Sequence, residues 1–177
     1  MLKVNELFGP TIQGEGKSVG KEVLFLRLSR CNLHCVWCDT PHSIGNTSRY
    51  YNEYALDELM QKIKSLSQGC HSVSLTGGEP LIQKDFIKAL LPQIKQGGLR
   101  TYLETNGIYS DALSVIIDDV DIVAMDIKLP SSTQCRAYWD EHEAFLDIAR
   151  KKDVFVKAVI SSETHWEDVR QAAELVN

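Results

Sequence analysis

Cys31-Asn32-Leu33-His34-Cys35-Val36-Trp37-Cys38 places three thiols in one short loop, separated by three and then two residues. Thiolates are soft ligands, so a cluster of them points to an iron–sulfur centre or to zinc. Three thiolates leave one corner of a 4Fe-4S cluster without a protein ligand. That iron is open to a ligand of another kind. A zinc knuckle short of its fourth ligand, or buried cysteines gathered by chance, are the other readings. His34 offers a Cys3His set, but its place directly before Cys35 makes poor tetrahedral geometry.

Working outward, Val23-Leu24-Phe25-Leu26-Arg27-Leu28 runs straight into this loop and predicts a strand. Arg27 interrupts its apolar run. Aimed into a cavity, it suits a carboxylate, because its planar fork donates two parallel hydrogen bonds; on an edge strand it would only meet solvent. Upstream, Val4 to Phe8 predicts a short extended segment. Gly9-Pro10-Thr11-Ile12-Gln13-Gly14-Glu15-Gly16 predicts either a plain hairpin loop or backbone lying close to a ligand.

Downstream, Asp39-Thr40-Pro41 leaves the loop, and residues 43 to 53 read as a polar loop kept irregular by Pro41 and Gly45. Leu56, Leu59, Met60, Ile63 and Leu66 make one helical stripe, ended near Gly69. Further strands are predicted at 72–75, 100–103, 121–125 and 154–160. Helices are predicted at 84–96, 110–118 and 133–150, with a last one capped by Ser161-Ser162-Glu163 and running to Val176, with Trp166, Val169 and Ala173 on one face. Pro92 should kink or shorten the second helix. This alternation predicts a parallel sheet with crossover helices.

Each polar or glycine-rich cluster follows a predicted strand directly. This holds for the cysteine loop, Thr76-Gly77-Gly78-Glu79-Pro80, Glu104-Thr105-Asn106-Gly107 and Asp126-Ile127-Lys128. In parallel α/β folds the carboxyl ends of the strands gather at one end of the molecule and carry the site. Four such clusters in succession therefore predict one shared site.

The chain has 177 residues, enough for one domain with a real core. With a net charge of −5 and no Lys/Arg run, it lacks the footprint of a direct nucleic-acid binder. No apolar stretch reaches membrane-span length, and no signal peptide is visible, which predicts a cytoplasmic protein. Five cysteines, three of them clustered, favour a metal site in a reducing compartment over a disulfide framework. Cys70 and Cys135, far from the cluster in sequence, read as structural thiols.

The cysteine spacing, with Trp37 before the last thiol, resembles the radical S-adenosylmethionine (SAM) superfamily. From Glu6 to Ser132 the chain is similar to one family within it, the 7-carboxy-7-deazaguanine synthases. Gln13-Gly14-Glu15-Gly16, Phe25-x-Arg27, Cys38-Asp39-Thr40, Thr76-Gly77-Gly78-Glu79-Pro80 and Glu104-Thr105-Asn106-Gly107 carry that likeness. The resemblance implies a partial (β/α)6-type barrel, here cut short after its fifth strand, so that residues 1–177 form a single radical SAM domain lacking the last part of the family fold. An open barrel edge raises an aggregation risk. It also implies a 4Fe-4S cluster, SAM and Mg2+, an electron donor such as flavodoxin, a homodimer, and a pterin substrate. The implied reaction converts 6-carboxy-5,6,7,8-tetrahydropterin to 7-carboxy-7-deazaguanine with loss of ammonia, a step toward queuosine.

The resemblance assigns Cys31, Cys35 and Cys38 to the cluster. It assigns Trp37, Cys38 and Asp39 to SAM, with packing an equal role for the Trp37 ring. Gly78 would approach the methionyl end of SAM, or serve only as a turn glycine. Lys128 and Ser131 fall where ribose or carboxylate contacts would lie. Glu104 and Asn106 are either ligand contacts or loop-fixing groups. Thr40 is the implied Mg2+ ligand; without the resemblance it reads as a turn residue before Pro41. Ile12, Gln13, Gly14, Arg27 and Thr76 are assigned to the substrate. Two other functions compete: another radical SAM enzyme, such as a glycyl-radical activase, and a non-catalytic iron–sulfur protein. Against the latter, no fourth cysteine lies nearby in sequence.

Overall fold

The computed structural model describes residues 1–44 and 50–177. Gly45 and the middle of the expected 43–53 loop lie outside the described residues. At its flanks, Pro41–Ser43 forms a single 3-10 turn and Asn52–Tyr54 is a short strand, so the expected loop is partly regular.

Among the described residues, seven strands form one sheet in the order β3-β1-β2-β4-β5-β6-β7. They are β1 (Leu2–Ile12), β2 (Glu22–Leu28), β3 (Asn52–Tyr54), β4 (Ser72–Gly77), β5 (Arg100–Thr105), β6 (Ile122–Asp126) and β7 (Asp153–Lys157). From β2 to β7 every neighbour is parallel, as the strand–helix alternation predicts. The barrel is partial, with β7 at one edge and β3 at the other. β1 was expected to be short. It instead runs eleven residues and pairs antiparallel with both β2 and β3. A register shift between Phe8 and Thr11 absorbs Gly9 and Pro10, which read as loop.

The helices are α1 (Leu56–Leu66), α2 (Lys84–Gln96), α3 (Ser110–Ile116), α4 (Pro130–Thr133), α5 (Trp139–Ala149) and α6 (Trp166–Val176). Pro92 does not end α2, which continues to Gln96. Lys88, whose carbonyl Pro92 cannot serve, is exposed, so water can take that place. The expected 133–150 helix forms only as α5, from Trp139 to Ala149, because the chain first closes the short α4 at Thr133. Thr133 Oγ1 bonds back to Leu129 O and accepts from Cys135 N, and Gln134 turns left-handed at φ +60°, which separates α4 from α5. β7 ends at Lys157, short of residue 160, because Val159 O turns to accept from Ser132 Oγ. The 161–163 segment forms its own turn with Thr164, and α6 starts only at Trp166. Its inward face carries Val169, Ala172 and Leu175; Trp166 and Ala173 face solvent.

Side chains alternate across a sheet, so the register assigns each strand residue to a face. Leu24, Leu26, Leu28, Val73, Leu75, Leu103, Val123 and Met125 share the face that packs on the helices. The opposite face takes the other parity. Its lower half holds Tyr102, Ile122 and Ala124 with Phe155. Its upper half, at the carboxyl ends, carries Arg27, Thr76, Glu104, Asp126 and Lys157, linked by the pairs Arg27↔Thr76, Glu104↔Ala124 and Asp126↔Lys157. The turn between β1 and β2 reaches across this face. Glu15 pairs with Lys157, Lys17 pairs with Asp153, and a Cβ on Gly16 would lie 2.2 Å from the Phe155 ring.

Candidate active site

A cavity of about 450 Å³ opens at the carboxyl ends of β2, β4, β5, β6 and β7. Cys31, Cys35 and Cys38 line it together with Trp37, Asp39, Thr40, Arg27, Thr76, Gly78, Glu104, Asn106 and Lys128. These are most of the residues singled out from the sequence.

The cysteine loop is fastened from three sides. At its start, Arg30 has φ +80°, donates from its N–H to Ser43 O at 2.7 Å, and accepts at its carbonyl from Glu79 N at 2.8 Å. In the middle, Val36 N donates to Thr133 O and Trp37 Nε1 to Ser132 Oγ at 3.0 Å. Asn106 Nδ2 donates to Asn32 Oδ1 at 2.8 Å. Gly78 is glycine for a packing reason: a Cβ there would sit 2.0 Å from Arg30 O. Gly77, at φ +125°, lies as close to Leu28. The diglycine is therefore the surface on which the cysteine loop rests.

Burial pushes the Cys31 thiol up to about 11 and the Cys35 thiol up to about 12, opposed in both cases by Lys128. Both stay protonated until a metal displaces the proton. Cys135, distant in sequence, comes up beside Cys35 and helps raise it, but does not line the cavity. Cys70 is half-buried against the core. Among the described residues no three His, Cys, Asp or Glu side chains converge as a single-ion site requires. Three thiols spread around a cavity suit a larger cluster better than one zinc ion.

Glu79 is buried outright. It accepts from Leu81 N, Asn106 N and Thr105 Oγ1 at 2.8 to 3.1 Å. Desolvation outweighs those bonds and pushes its carboxyl up to about 7. Glu104 is a hub of another kind. It accepts from Gln13 Nε2 (3.2 Å), Ser74 Oγ (2.9 Å) and Thr76 Oγ1 (3.0 Å). Lys128 bonds Asp126 Oδ2 at 2.8 Å and stands 4.8 Å over the Trp37 ring. Asn106 Oδ1 and Asp126 Oδ1 are buried acceptors without a hydrogen-bond donor. Both residues line the cavity, so a ligand with donor groups would satisfy them.

On the other side, Arg27 Nε donates to Glu6 at 2.9 Å and its Nη1 to Thr40 Oγ1 at 3.4 Å; Thr40 Oγ1 donates to Asp39 at 2.8 Å. Thr40 is buried and precedes the Pro41–Ser43 turn.

Three assigned residues lie elsewhere. Ile12 and Gly14 are exposed at the β1–β2 turn, and neither lines the cavity. Ser131 bonds Asp168 and the His165 N–H, anchoring α6; its neighbour Ser132 is the one that meets the cysteine loop. Gln13 is buried and reaches the site through Glu104. Sequence reasoning passed over Glu15, Phe25, Val159 and Lys157 as lining groups and Asn32 and His142 as supports. Strand parity was the available signal for Lys157.

The radical SAM superfamily model matches residues 26–176. The chain is 36% identical over 191 aligned positions to a 7-carboxy-7-deazaguanine synthase from Geobacter sulfurreducens, covering 98% of this chain and 76% of that protein. A protein of the same name from Methanopyrus kandleri is 37% identical over 73% of this chain, which spans 58% of its length. Among solved structures, QueE from Escherichia coli superposes with a TM-score of 0.61 at 20% identity, covering 98% of this chain and 88% of that one. TYW1 with a lysine-pyruvate adduct bound gives 0.65 at 15%, covering 89% and 62%. These two likenesses concern the fold. By sequence, the chain belongs to the radical SAM superfamily and, within it, to the 7-carboxy-7-deazaguanine synthase family.

Proposed function

We propose that this chain converts 6-carboxy-5,6,7,8-tetrahydropterin to 7-carboxy-7-deazaguanine with loss of ammonia, using a 4Fe-4S cluster, SAM and Mg2+. The observation that carries this reading is one cavity holding both chemistries: three thiols with two unsatisfied acceptor oxygens, and an arginine beside a buried threonine hydroxyl. Family membership supports the same reading.

Cys31, Cys35 and Cys38 would hold the cluster, and Asn106, Asp126 and Lys128 would face the cofactor. When bound there, the cluster and SAM would supply one-electron radical chemistry. The chain's own work is placement. Arg27 can exchange its half-exposed Glu6 partner for the substrate carboxylate. Thr40 offers a hydroxyl oxygen to Mg2+, whose remaining shell comes from substrate and water. Glu104, fixed by Gln13, Ser74 and Thr76, presents a carboxylate toward the pterin ring. We further propose a single radical SAM domain acting as a cytoplasmic homodimer with a flavodoxin-type donor. Among the described residues no helix is long and apolar enough to cross a membrane.

The test is anaerobic reconstitution with SAM and dithionite. The expected result is 5′-deoxyadenosine release that depends on the carboxypterin, with the deazapurine as product. Release that ignores the pterin would assign another radical SAM reaction. No release would leave an iron–sulfur protein without this chemistry.

A further inference from the structure

His142 lies on α5, outside the cavity, and is fully buried. Its two ring nitrogens meet two different loops. Nδ1 is 3.0 Å from Gly107 O, and Nε2 accepts from Lys128 N at 3.1 Å. A carbonyl facing Nδ1 and an N–H facing Nε2 fix one tautomer, with the proton on Nδ1. Both backbone groups belong to segments that carry cavity residues. Gly107 follows Asn106, which bonds Asn32 of the cysteine loop; Lys128 stands over Trp37 of the same loop. Gly107 holds φ +68°, and a Cβ there would lie 2.8 Å from Met125 and 3.2 Å from the His142 ring. The space beside Gly107 is thus filled by Met125 together with this ring.

We propose that His142 is a positioning residue for the SAM subsite, tying the loop after β5 to the loop after β6 and so setting the distance between Asn106 and Lys128. Removing its hydrogen bonds strands a buried carbonyl and a buried N–H, and the two loops separate to hydrate them. The thiols stand on a different loop, which besides its Asn32–Asn106 bond is fastened independently by Arg30, Val36 and Trp37, so cluster loading survives loss of this tie. The proposal rests on the cofactor half of the proposed function and not on the pterin.

The experiment titrates SAM into cluster-loaded wild type, His142→Phe and His142→Gln, with iron and sulfide counted per chain. The phenylalanine variant keeps a ring but neither hydrogen bond. It is expected to bind SAM at least tenfold more weakly with unchanged iron and sulfide. The glutamine variant, whose amide both donates and accepts, is expected to recover affinity to within threefold of wild type. Wild-type affinity in the phenylalanine variant, or no recovery in the glutamine variant, overturns the proposal. Hydrogen exchange on the wild type is a second arm that needs no variant to fold: exchange at the Lys128 amide should slow when SAM is added, and an unchanged rate overturns the tie. If SAM binding behaves as expected while no deazapurine forms, the proposed reaction falls and the role of His142 stands.

Discussion

The two sides of the cavity are built on different plans. The Arg27 side is held by side-chain pairs alone: its ion-pair partner Glu6 is 47% exposed in its side chain, and the Arg27–Thr40 contact is long at 3.4 Å. The Asn106–Lys128 side is held from behind by buried groups, Glu79 and His142, each bonded to backbone. Surface pairs contribute little and exchange partners easily. Buried hydrogen-bonded groups are costly to disturb. Under the proposed function, the half that would receive the substrate is soft, and the half that would receive SAM is pre-formed.

The comparison can be broken most forcefully at Gly78. Gly78→Ala would drive a methyl into the Arg30 carbonyl, which is backbone and cannot swing away. A loss of about 3 kcal/mol is expected, together with loss of cluster loading, read by urea melts and iron content. Next is Glu79. Between pH 4.5 and about 7 the folded chain keeps a proton that the unfolded chain releases, so this group's contribution to stability falls as pH rises through that window. Glu79→Gln should abolish that slope, gaining on the wild type by on the order of 3 kcal/mol at pH 8 relative to pH 4. Burial pushes His142 the other way, below the usual 6.5. There the unfolded chain takes up the proton first, so His142→Gln should flatten a loss of stability seen as pH drops below 6.5.

The soft side should respond in kinetics and not in stability. Arg27→Ala is expected to raise the pterin KM tenfold or more, with normal iron content and a melting temperature within a few degrees; unchanged turnover at limiting pterin would remove Arg27 from the site. Thr40→Ala should abolish stimulation by Mg2+ while SAM binding persists, read by a metal titration of turnover. The smallest effect belongs to Lys17→Ala. It removes an exposed pair with Asp153 and should cost under about 1 kcal/mol in a denaturant melt.

The parallel strands were legible from short β-rich runs alternating with helical stripes, four of them followed directly by a polar or glycine-rich loop. The antiparallel extension was not. Gly9 and Pro10 carry loop chemistry, and only pairing with β2 shows that a bulge absorbs them. Which serine of α4 meets the Trp37 indole depends on how that short helix is seated, which the sequence does not encode. His142 gave no local signal at all. A lone histidine on a helix acquires meaning only when two loops distant in sequence deliver a carbonyl and an N–H to its ring.

The turn after β1 reaches β7, with Glu15 and Lys157 separated by 142 positions in sequence. Few contacts in a chain of this size close so large a loop, and such closures come late in folding. A ribosome making this polypeptide exposes the cysteine loop long before β7 emerges. The thiols are thus synthesised early and enclosed later, so iron delivery to a finished pocket must wait until β7 has been made.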